Sequence, residues 1–510
     1  MTEGVPGADE GTTRDSAGTG AFGGPLRAGV ASGVRWGTLD RVVQTVLRTA
    51  TTVMLARLVA PRDFGLIAIA LVVVNFAALL SGLGLGPALV QRRDLRPEHV
   101  AVAFTLSAGF GMGLAALIAL SAVPAAAFFD QPELRRILPV LALIFVCKGV
   151  EVTPNDMLTR ELRFRAYYLT STAAVALASA AGVVLAVAGL GIWALVGLSL
   201  VEAVVASVLA WVVAIRAGVW TPSFSMDRAA LRDLLPYSSY VTMSLLVGYG
   251  QGNADNLLIG KLLGARPLGY YSLAYRTFLL PLQKFGEVVS ATVFPALAAV
   301  RDDPQRLRQG FLRSSQYVAL VFFPITVGIA VTAPQMVPVV FGRQWVPAVH
   351  TLQVLAMSGP LLSMTRLRGA LCLAIGKPQW DLWLNAVGLA LFVPAFVIGV
   401  QYGILGVAAA FTLAAAMETP VAVGVISRGL RTGPRQVLQP LVPVAWATAV
   451  MAAGAAAIGK LLEGAVGQPL QLAAMTIGGG ALYVLALRVL APDLVPGLLR
   501  DLARRGRSGA

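Results

Sequence analysis

The sequence predicts an all-α polytopic membrane protein of about fourteen transmembrane helices, arranged as two related halves with a C-terminal helix pair. Three observations predict it. The chain has 510 residues, of which 57% are hydrophobic and only 13% charged, outside the range of ordinary soluble domains. Apolar runs long enough to cross a bilayer recur along almost its whole length, and only helices satisfy their own backbone there. The stretch RLVAPRDFGLIAIA at 57–70 is echoed at 261–274 by KLLGARPLGYYSLA, so that at an offset of 204 Arg57 meets Lys261, Arg62 meets Arg266 and Gly65 meets Gly269.

The spans run roughly 31–56, 64–90, 100–123, 137–156, 167–188, 191–215, 234–258, 268–298, 312–333, 347–372, 380–400, 403–427, 437–459 and 468–490. Glycine and proline interrupt some of them, at Gly82 to Pro87 and at Pro281. The start, 1–28, is rich in Gly, Thr, Ala and acids and lacks a basic segment followed by an apolar core, so it reads as a disordered cytoplasmic tail rather than a signal peptide. No connection is long enough for a soluble catalytic domain. The two histidines, His99 and His350, and the two cysteines, Cys147 and Cys372, form no metal-ligand cluster. No cofactor is expected and the chain does not read as an enzyme.

The echo continues downstream. Arg165 returns as Lys377, Gly191-Ile192 as Gly403-Ile404 and Arg216 as Arg428, at an offset grown to 212. A repeat of about 200 residues is too long for a solenoid unit and reads as a duplicated half, a common build of transporters. Spans 1–6 at 29–216 form an N-lobe and spans 7–12 at 233–428 a C-lobe, joined by a cytoplasmic loop at 217–232. An even number of spans per half places the pseudo-twofold axis along the membrane normal. Spans 13 and 14, within 429–490, form a peripheral hairpin, and 491–510 a basic cytoplasmic tail.

The net charge of +15 is mostly a topology signal. Connections after even-numbered spans carry sixteen Lys and Arg residues, and those after odd-numbered spans carry eight. By the positive-inside rule both termini lie in the cytoplasm. No nucleic-acid partner is expected.

Charges within spans are costly and mark cavities or partners. In span 1, Arg41, Gln44, Arg48 and Thr51 share one helix face, with Asp40 beside it and able to pair with Arg41 or Arg35. In span 7, Ser244, Gly248, Gln251 and Asp255 share a face, and Asp255 stands at the repeat position of Thr51. In span 8, Arg276, Gln283 and Glu287 do the same. These stripes predict a water-filled cavity between lobes. Arginine forks match phosphate oxygens in pairs, so Arg41, Arg48 and Arg276 are the candidate anion site. The alternative is that these arginines form internal ion pairs or snorkel to the interface. Asp255 and Glu287 are either counter-ions to such arginines or titrating groups for a coupling ion, H⁺ or Na⁺. Lys148 and Glu151 read as a pair, and Arg366 and Arg368 as lying toward the cytoplasmic end of span 10.

The segment ARLVAPRDFGLIAIALVVVNFAALLSGLGLGPALVQRRDL at 56–95 resembles the opening of the bacterial oligosaccharide flippases, as does ADNLLIGKLLGARPLGYYSLAYRTFLLPLQ at 254–283. FPALAAVRDDPQRLRQGFLRS at 294–314 and FGRQWVPAVHTLQVLA at 341–356 look like the same family, with the nearest likeness to exporters of the colanic-acid and teichuronic-acid type. These belong to the multidrug/oligosaccharidyl-lipid/polysaccharide exporter superfamily. The resemblance covers about 30–435. It implies an inner-membrane flippase for oligosaccharide repeat units on an undecaprenyl-pyrophosphate carrier, working by alternating access and powered by an ion gradient or membrane potential. It also implies the lipid bilayer, the lipid-linked substrate, and polysaccharide polymerase and glycosyltransferases as partners.

Two other readings compete. A cation-coupled drug antiporter of the same fold should have a cavity richer in carboxylates and aromatics. A membrane glycosyltransferase or polymerase needs external carboxylates, and the external connections offer few, with Asp63, Asp130 and Glu133 nearest.

Overall fold

The computed structural model describes residues 24–81, 96–225, 239–492 and 494. Most of the tails, the Gly82 to Pro87 interruption and much of the inter-lobe loop lie outside them, although α1 already begins inside the expected N-terminal tail. The first half contains α1 (Gly24–Leu58), α2 (Pro61–Ser81), α3 (Pro97–Phe129), α4 (Leu134–Arg160), α5 (Phe164–Val187) and α6 (Ile192–Arg216). The second contains α7 (Ser239–Leu262), α8 (Ala265–Ala299), α9 (Pro304–Val340), the short helices α10 (Val349–Met357), α11 (Gly359–Thr365) and α12 (Arg368–Ala374), then α13 (Pro378–Gly399) and α14 (Gly403–Gly429). After the single turn α15 (Pro434–Leu438) come α16 (Val442–Leu461) and α17 (Gln468–Leu490). Among the described residues, nine helical stretches are long and apolar enough to cross a membrane.

Local chemistry sets the ends. Proline at the first position opens α3, α9 and α13, where a missing N–H costs nothing. Asp303 caps α9 by accepting from the backbone N–H of Gln305 and Arg306, both at 3.0 Å. The echoed glycines Gly191 and Gly403 sit in the turns α5–α6 and α13–α14 at φ 53° and 72°, a left-handed conformation that favours glycine.

Span 10 departs from the expected continuous helix. It is broken at Ser358 and again at Arg366-Leu367. Pro360 has no N–H to continue the first ladder. Gly359 presses its backbone on Thr326 of α9, where a Cβ would overlap the threonine side chain.

Helices of the first half pack mainly on one another, α3 on α4, α5 on α1 and α6, and α4 on α6. In the second half α13 packs on α14, and α9 on α10 and α11. The α16–α17 hairpin lies against α9, where the Tyr483 hydroxyl donates to the Leu320 carbonyl at 2.7 Å. The halves meet chiefly where α2 packs on α8 and α7.

That junction is built from the repeated motif. Gly65 lies so close to α8 that a Cβ would enter the Ala265 carbonyl, and a Cβ on Gly269 would enter the Pro61 carbonyl. Around the crossing, Arg57 donates to the Val339 and Val340 carbonyls. The Trp345 indole donates to the Ala56 carbonyl at 2.7 Å and meets the rings of Phe64 and Tyr270 edge-on. Lys261 pairs with Asp130 across the halves at 2.9 Å. This end of the molecule is therefore closed between the halves by glycine contact, an aromatic plug and hydrogen bonds from side chains to main-chain carbonyls.

Candidate functional site

A cavity of about 410 Å³ lies within the second half, among α7, α8, α11 to α14. Its polar wall is Asp255, Arg366, Arg368, Asp381 and Glu418, and its apolar wall includes Tyr275, Phe392, Phe396 and Phe411. Tyr275, Phe278, Phe392, Phe396 and Phe411 form one cluster of interlocked rings, which fixes the apolar side.

Arg368 is the hub of the polar side. Its Nε donates to Asp381 Oδ1 at 3.0 Å, one terminal nitrogen to Glu418 Oε1 at 2.7 Å, and the other to Asn385 Oδ1 at 2.8 Å. Its side chain is only 12% exposed and that of Glu418 9%. A guanidinium so far from water is tolerated because its fork is filled on three sides. Asp381 and Asn385, one turn apart on α13, present the two acceptors together. Arg366 lies at the break between α11 and α12 on the same wall, exposed.

Asp255 is 2% exposed. Its carboxylate accepts from the Tyr271 hydroxyl at 2.7 Å and from the backbone N–H of Asn256 at 2.7 Å. The expectation that it pairs with an arginine in the empty protein is corrected: Tyr271, on the next helix, takes that place. The repeat counterpart Thr51 is also buried but turns its hydroxyl onto the Leu47 carbonyl of its own helix.

Of the other predicted residues, Asp40, Arg41 and Arg48 lie on α1 of the first half, and Arg276 and Glu287 on α8 of the second. Arg48 makes a two-pronged pair with Glu202 of α6, at 2.7 and 3.1 Å, with the arginine side chain half exposed. Asp40 is bound by Gln44 and by Thr172 of α5, not by Arg41 or Arg35, because α5 packs along this face of α1 and offers hydroxyls at the right height. Arg41 and Arg276 are exposed. Neither they nor Arg48 are on the wall of the second-half cavity, which is of mixed charge, with two guanidinium groups facing three carboxyls. The Glu287 side chain lies outside the described residues. Lys148 and Glu151 are not paired; Glu151 accepts from Asn155 at 2.9 Å instead.

The sequence reading missed Arg368 as a buried centre. The signal was present in Asp381 and Asn385 at i and i+4, with Glu418 on the next span. Glu202 and Glu418 lie on helices that correspond by the sequence repeat; Glu202 accepts both prongs of Arg48, and Glu418 one terminal nitrogen of Arg368. The arginines come from non-corresponding helices, α1 in one case and α12 in the other.

Comparison with known proteins places this architecture. The chain is 26% identical over 395 residues to the lipopolysaccharide biosynthesis protein WzxC of Escherichia coli K12, covering 77% of this chain and 80% of WzxC. It is 26% identical over 376 residues to the teichuronic acid biosynthesis protein TuaB of Bacillus subtilis 168, covering 74% and 77%. Among solved structures, the lipid II flippase MurJ in an inward closed conformation superposes with a TM-score of 0.68 at 12% identity, over 91% of this chain and 100% of MurJ. An inward-facing MATE-family multidrug resistance transporter of the MOP superfamily superposes at 0.60 with 18% identity, over 76% and 95%. The fold is thus the one these two solved structures share. Residues 54–350, more than half of the chain, match the family described as polysaccharide biosynthesis protein, and the chain belongs to that family.

Proposed function

We propose that this protein is a flippase that carries undecaprenyl-pyrophosphate-linked oligosaccharide repeat units across the cytoplasmic membrane for surface polysaccharide synthesis. The observation that supports this reading is the junction where α2 packs on α7 and α8: the Gly65–Gly269 crossing, with its aromatic plug, closes the end that bears the repeated motif. Alternating access needs such a closed end opposite an open one. The basic connections lie at the other end, so the positive-inside rule makes the closed end external and both termini cytoplasmic. In this reading 29–216 and 233–428 move as two six-helix lobes about the crossing, with 429–490 as a peripheral pair in a fourteen-span protein.

Arg41, Arg48 and Arg276 are the groups for the carrier's pyrophosphate. Arg48 already holds a two-oxygen anion, the Glu202 carboxylate, in its fork, and a pyrophosphate competes for the same donors. The work is binding and release, with no covalent step. The names of the relatives, which include lipopolysaccharide, teichuronic acid and succinoglycan biosynthesis proteins, support a lipid-linked glycan as the cargo. Polymerases and glycosyltransferases acting before and after transport are the partners this implies.

One observation favours a second reading. The cavity of the second half is rich in carboxylates and aromatics, as a cation-coupled drug antiporter requires. Arg368 offsets two of those carboxylates, which weakens that case.

The test is flipping of a lipid-linked oligosaccharide in proteoliposomes. Arg48→Ala and Arg276→Ala should each abolish it in a folded protein, with lysine at either site restoring only part. Full flipping by the double alanine variant would sink the anion-site reading. Export of cationic dyes in place of the lipid substrate would favour the antiporter.

A further inference from the structure

The basic end of the second half carries two adjoining hollows that the transport reading does not use. One, of about 350 Å³, is lined by Arg301, Lys377, Trp380, Arg428 and Arg431. The other, of about 730 Å³, is lined by Arg308, Ser427, Arg428 and Arg431. The hollows share Arg428 and Arg431 and so form one groove. Five cations face it, and Asp302 is the carboxylate on its wall, 3.6 Å from Arg301.

Topology alone places basic residues near this end, but it does not make them converge. Three features do. Arg431 has φ 52°, a left-handed conformation rare outside glycine, and the Thr432 N–H closes that turn on the Ser427 carbonyl at 2.9 Å. The reversed turn sets Arg428 and Arg431 on both hollows at once. The second feature is the start of α13, at Lys377, which carries no side-chain cap, so its first N–H groups add partial positive charge beside the cations. The third is Ser427, 4% exposed, on the groove wall, whose hydroxyl has no hydrogen-bond partner among the described residues. A buried hydroxyl without a partner is costly and marks a place for an acceptor.

The walls are not only charged. Leu307, Ile375, Leu430 and the Trp380 ring, over which Lys377 sits at 4.3 Å, line the first hollow beneath the cations. Apolar surface below a ring of cations, with tryptophan at the boundary, matches a lipid headgroup at the membrane interface rather than a solvated face.

We propose that this groove binds a phosphate-bearing lipid headgroup, with Arg428 and Arg431 gripping the phosphate, Lys377 and the α13 N-terminus completing its surroundings, and Ser427 supplying a hydroxyl donor. The shared chemistry is a phosphate ester. It can come from an anionic phospholipid of the leaflet or from a soluble phosphate, and the apolar wall favours the lipid. The site is separate from Arg48, Arg276 and the cavity around Arg368.

The test uses the full-length protein purified in detergent and read by native mass spectrometry while cardiolipin, phosphatidylglycerol or phosphatidylcholine is titrated in. The two anionic lipids should form adducts at least tenfold more readily than phosphatidylcholine. Arg428→Gln with Arg431→Gln should remove that preference at unchanged elution volume and melting temperature, and Ser427→Ala should weaken binding several-fold. In a parallel arm, inorganic pyrophosphate should displace the lipid only at far higher concentration. Equal binding of pyrophosphate in the absence of lipid would assign the groove to a soluble phosphate. Equal occupancy by phosphatidylcholine, or undiminished anionic adducts in the double variant, would overturn the proposal. Because binding is read without transport, its failure is distinct from any failure of the flippase reading.

Discussion

Gly65 of α2 and Gly269 of α8 meet as reciprocal partners: each backbone lies against the carbonyl of the residue four positions before the other, Ala265 for Gly65 and Pro61 for Gly269. Each pair sits at the repeat offset of 204. The contact is locally self-complementary, as an isologous interface is. It explains why the motif recurs, since a side chain at either glycine would hold two helices apart.

Alanine at either glycine is expected to hold the closed end open. Spin labels at Leu58 and Leu262, both exposed and equivalent at the repeat offset, should report a longer and broader distance in Gly65→Ala or Gly269→Ala than in the otherwise unchanged protein. Unchanged distances would show that the crossing is not the closure. Glycan export should fall with the same variants.

The two Arg–Glu pairs should differ sharply in their effect on stability. Arg368→Ala strands the buried Glu418 carboxylate and the partly buried one of Asp381 and should cost about 3–5 kcal/mol. Arg48→Ala breaks a pair whose arginine is 50% exposed and should cost about 1 kcal/mol or less. Melting temperatures in one detergent, with a double-mutant cycle for each pair, would check the order. Equal losses would mean that Arg368 is not the centre described above.

Asp255 is the one carboxyl of the second-half cavity held by a tyrosine rather than by Arg368, and Thr51 takes its place in the other half. We propose that it is the coupling group, gaining and losing a proton or Na⁺ as the halves move. Asp255→Asn should abolish the response of flipping to an imposed H⁺ or Na⁺ gradient, and Tyr271→Phe should alter its ion dependence while sparing binding. A wild-type response of Asp255→Asn to every gradient would remove Asp255 from this role and direct attention to Glu287.

The Arg62–Glu133 pair, at 2.6 Å, lies at the closed end. The Glu133 carboxyl is held below the usual carboxylate range, first by its own backbone N–H and then by the Arg62 guanidinium, against some desolvation. A lowered folded-state pKa means that its stabilising contribution is present above the ordinary value of about 4.3 and is lost as pH falls through the folded value. The gap in melting temperature between wild type and Glu133→Gln should therefore be constant near neutrality and close below about pH 4. A gap that widened on acidification would contradict the sign.

Cysteines placed in the basic connections, at Arg306, should resist membrane-impermeant labelling from outside, whereas one at Gln131 should react. Labelling of Arg306→Cys in intact cells would overturn the fourteen-span topology and the assignment of both termini to the cytoplasm.

The sequence made the helical membrane class and the duplicated motif readable for different reasons. Apolar length alone decides the class, and the crossing leaves an echo because both glycines answer one steric demand. The side-chain partners left much less trace. Arg48 and Asp40 were visible as a polar face of α1, but whether Glu202, Thr172 or water meets that face depends on how α5 and α6 lie against it. Asp255 and Tyr271 stand on opposite arms of a hairpin, where helical periodicity gives no register between the arms. Arg368 resembled an interfacial arginine because its carboxylates arrive from α13 and α14 only after the chain has turned back.

The broken span formed by α10, α11 and α12 has as its repeat counterpart α4, which stays one helix from Leu134 to Arg160 despite Pro139 and Pro154. In mechanical terms one copy is a strut and the other a linkage with two joints. The linkage ties Trp345 at the closed end to Arg368 near the opposite end, with Ser358 and Arg366 as its pins. A strut transmits a push along its length, whereas a linkage converts the same push into rotation of its last member. We propose that displacing the Trp345 plug turns the short α12 lever, so that Arg368 carries Asp381 and Glu418 with it or lets them go. The duplicated halves then need not move alike, one serving as the frame and the other as the moving arm.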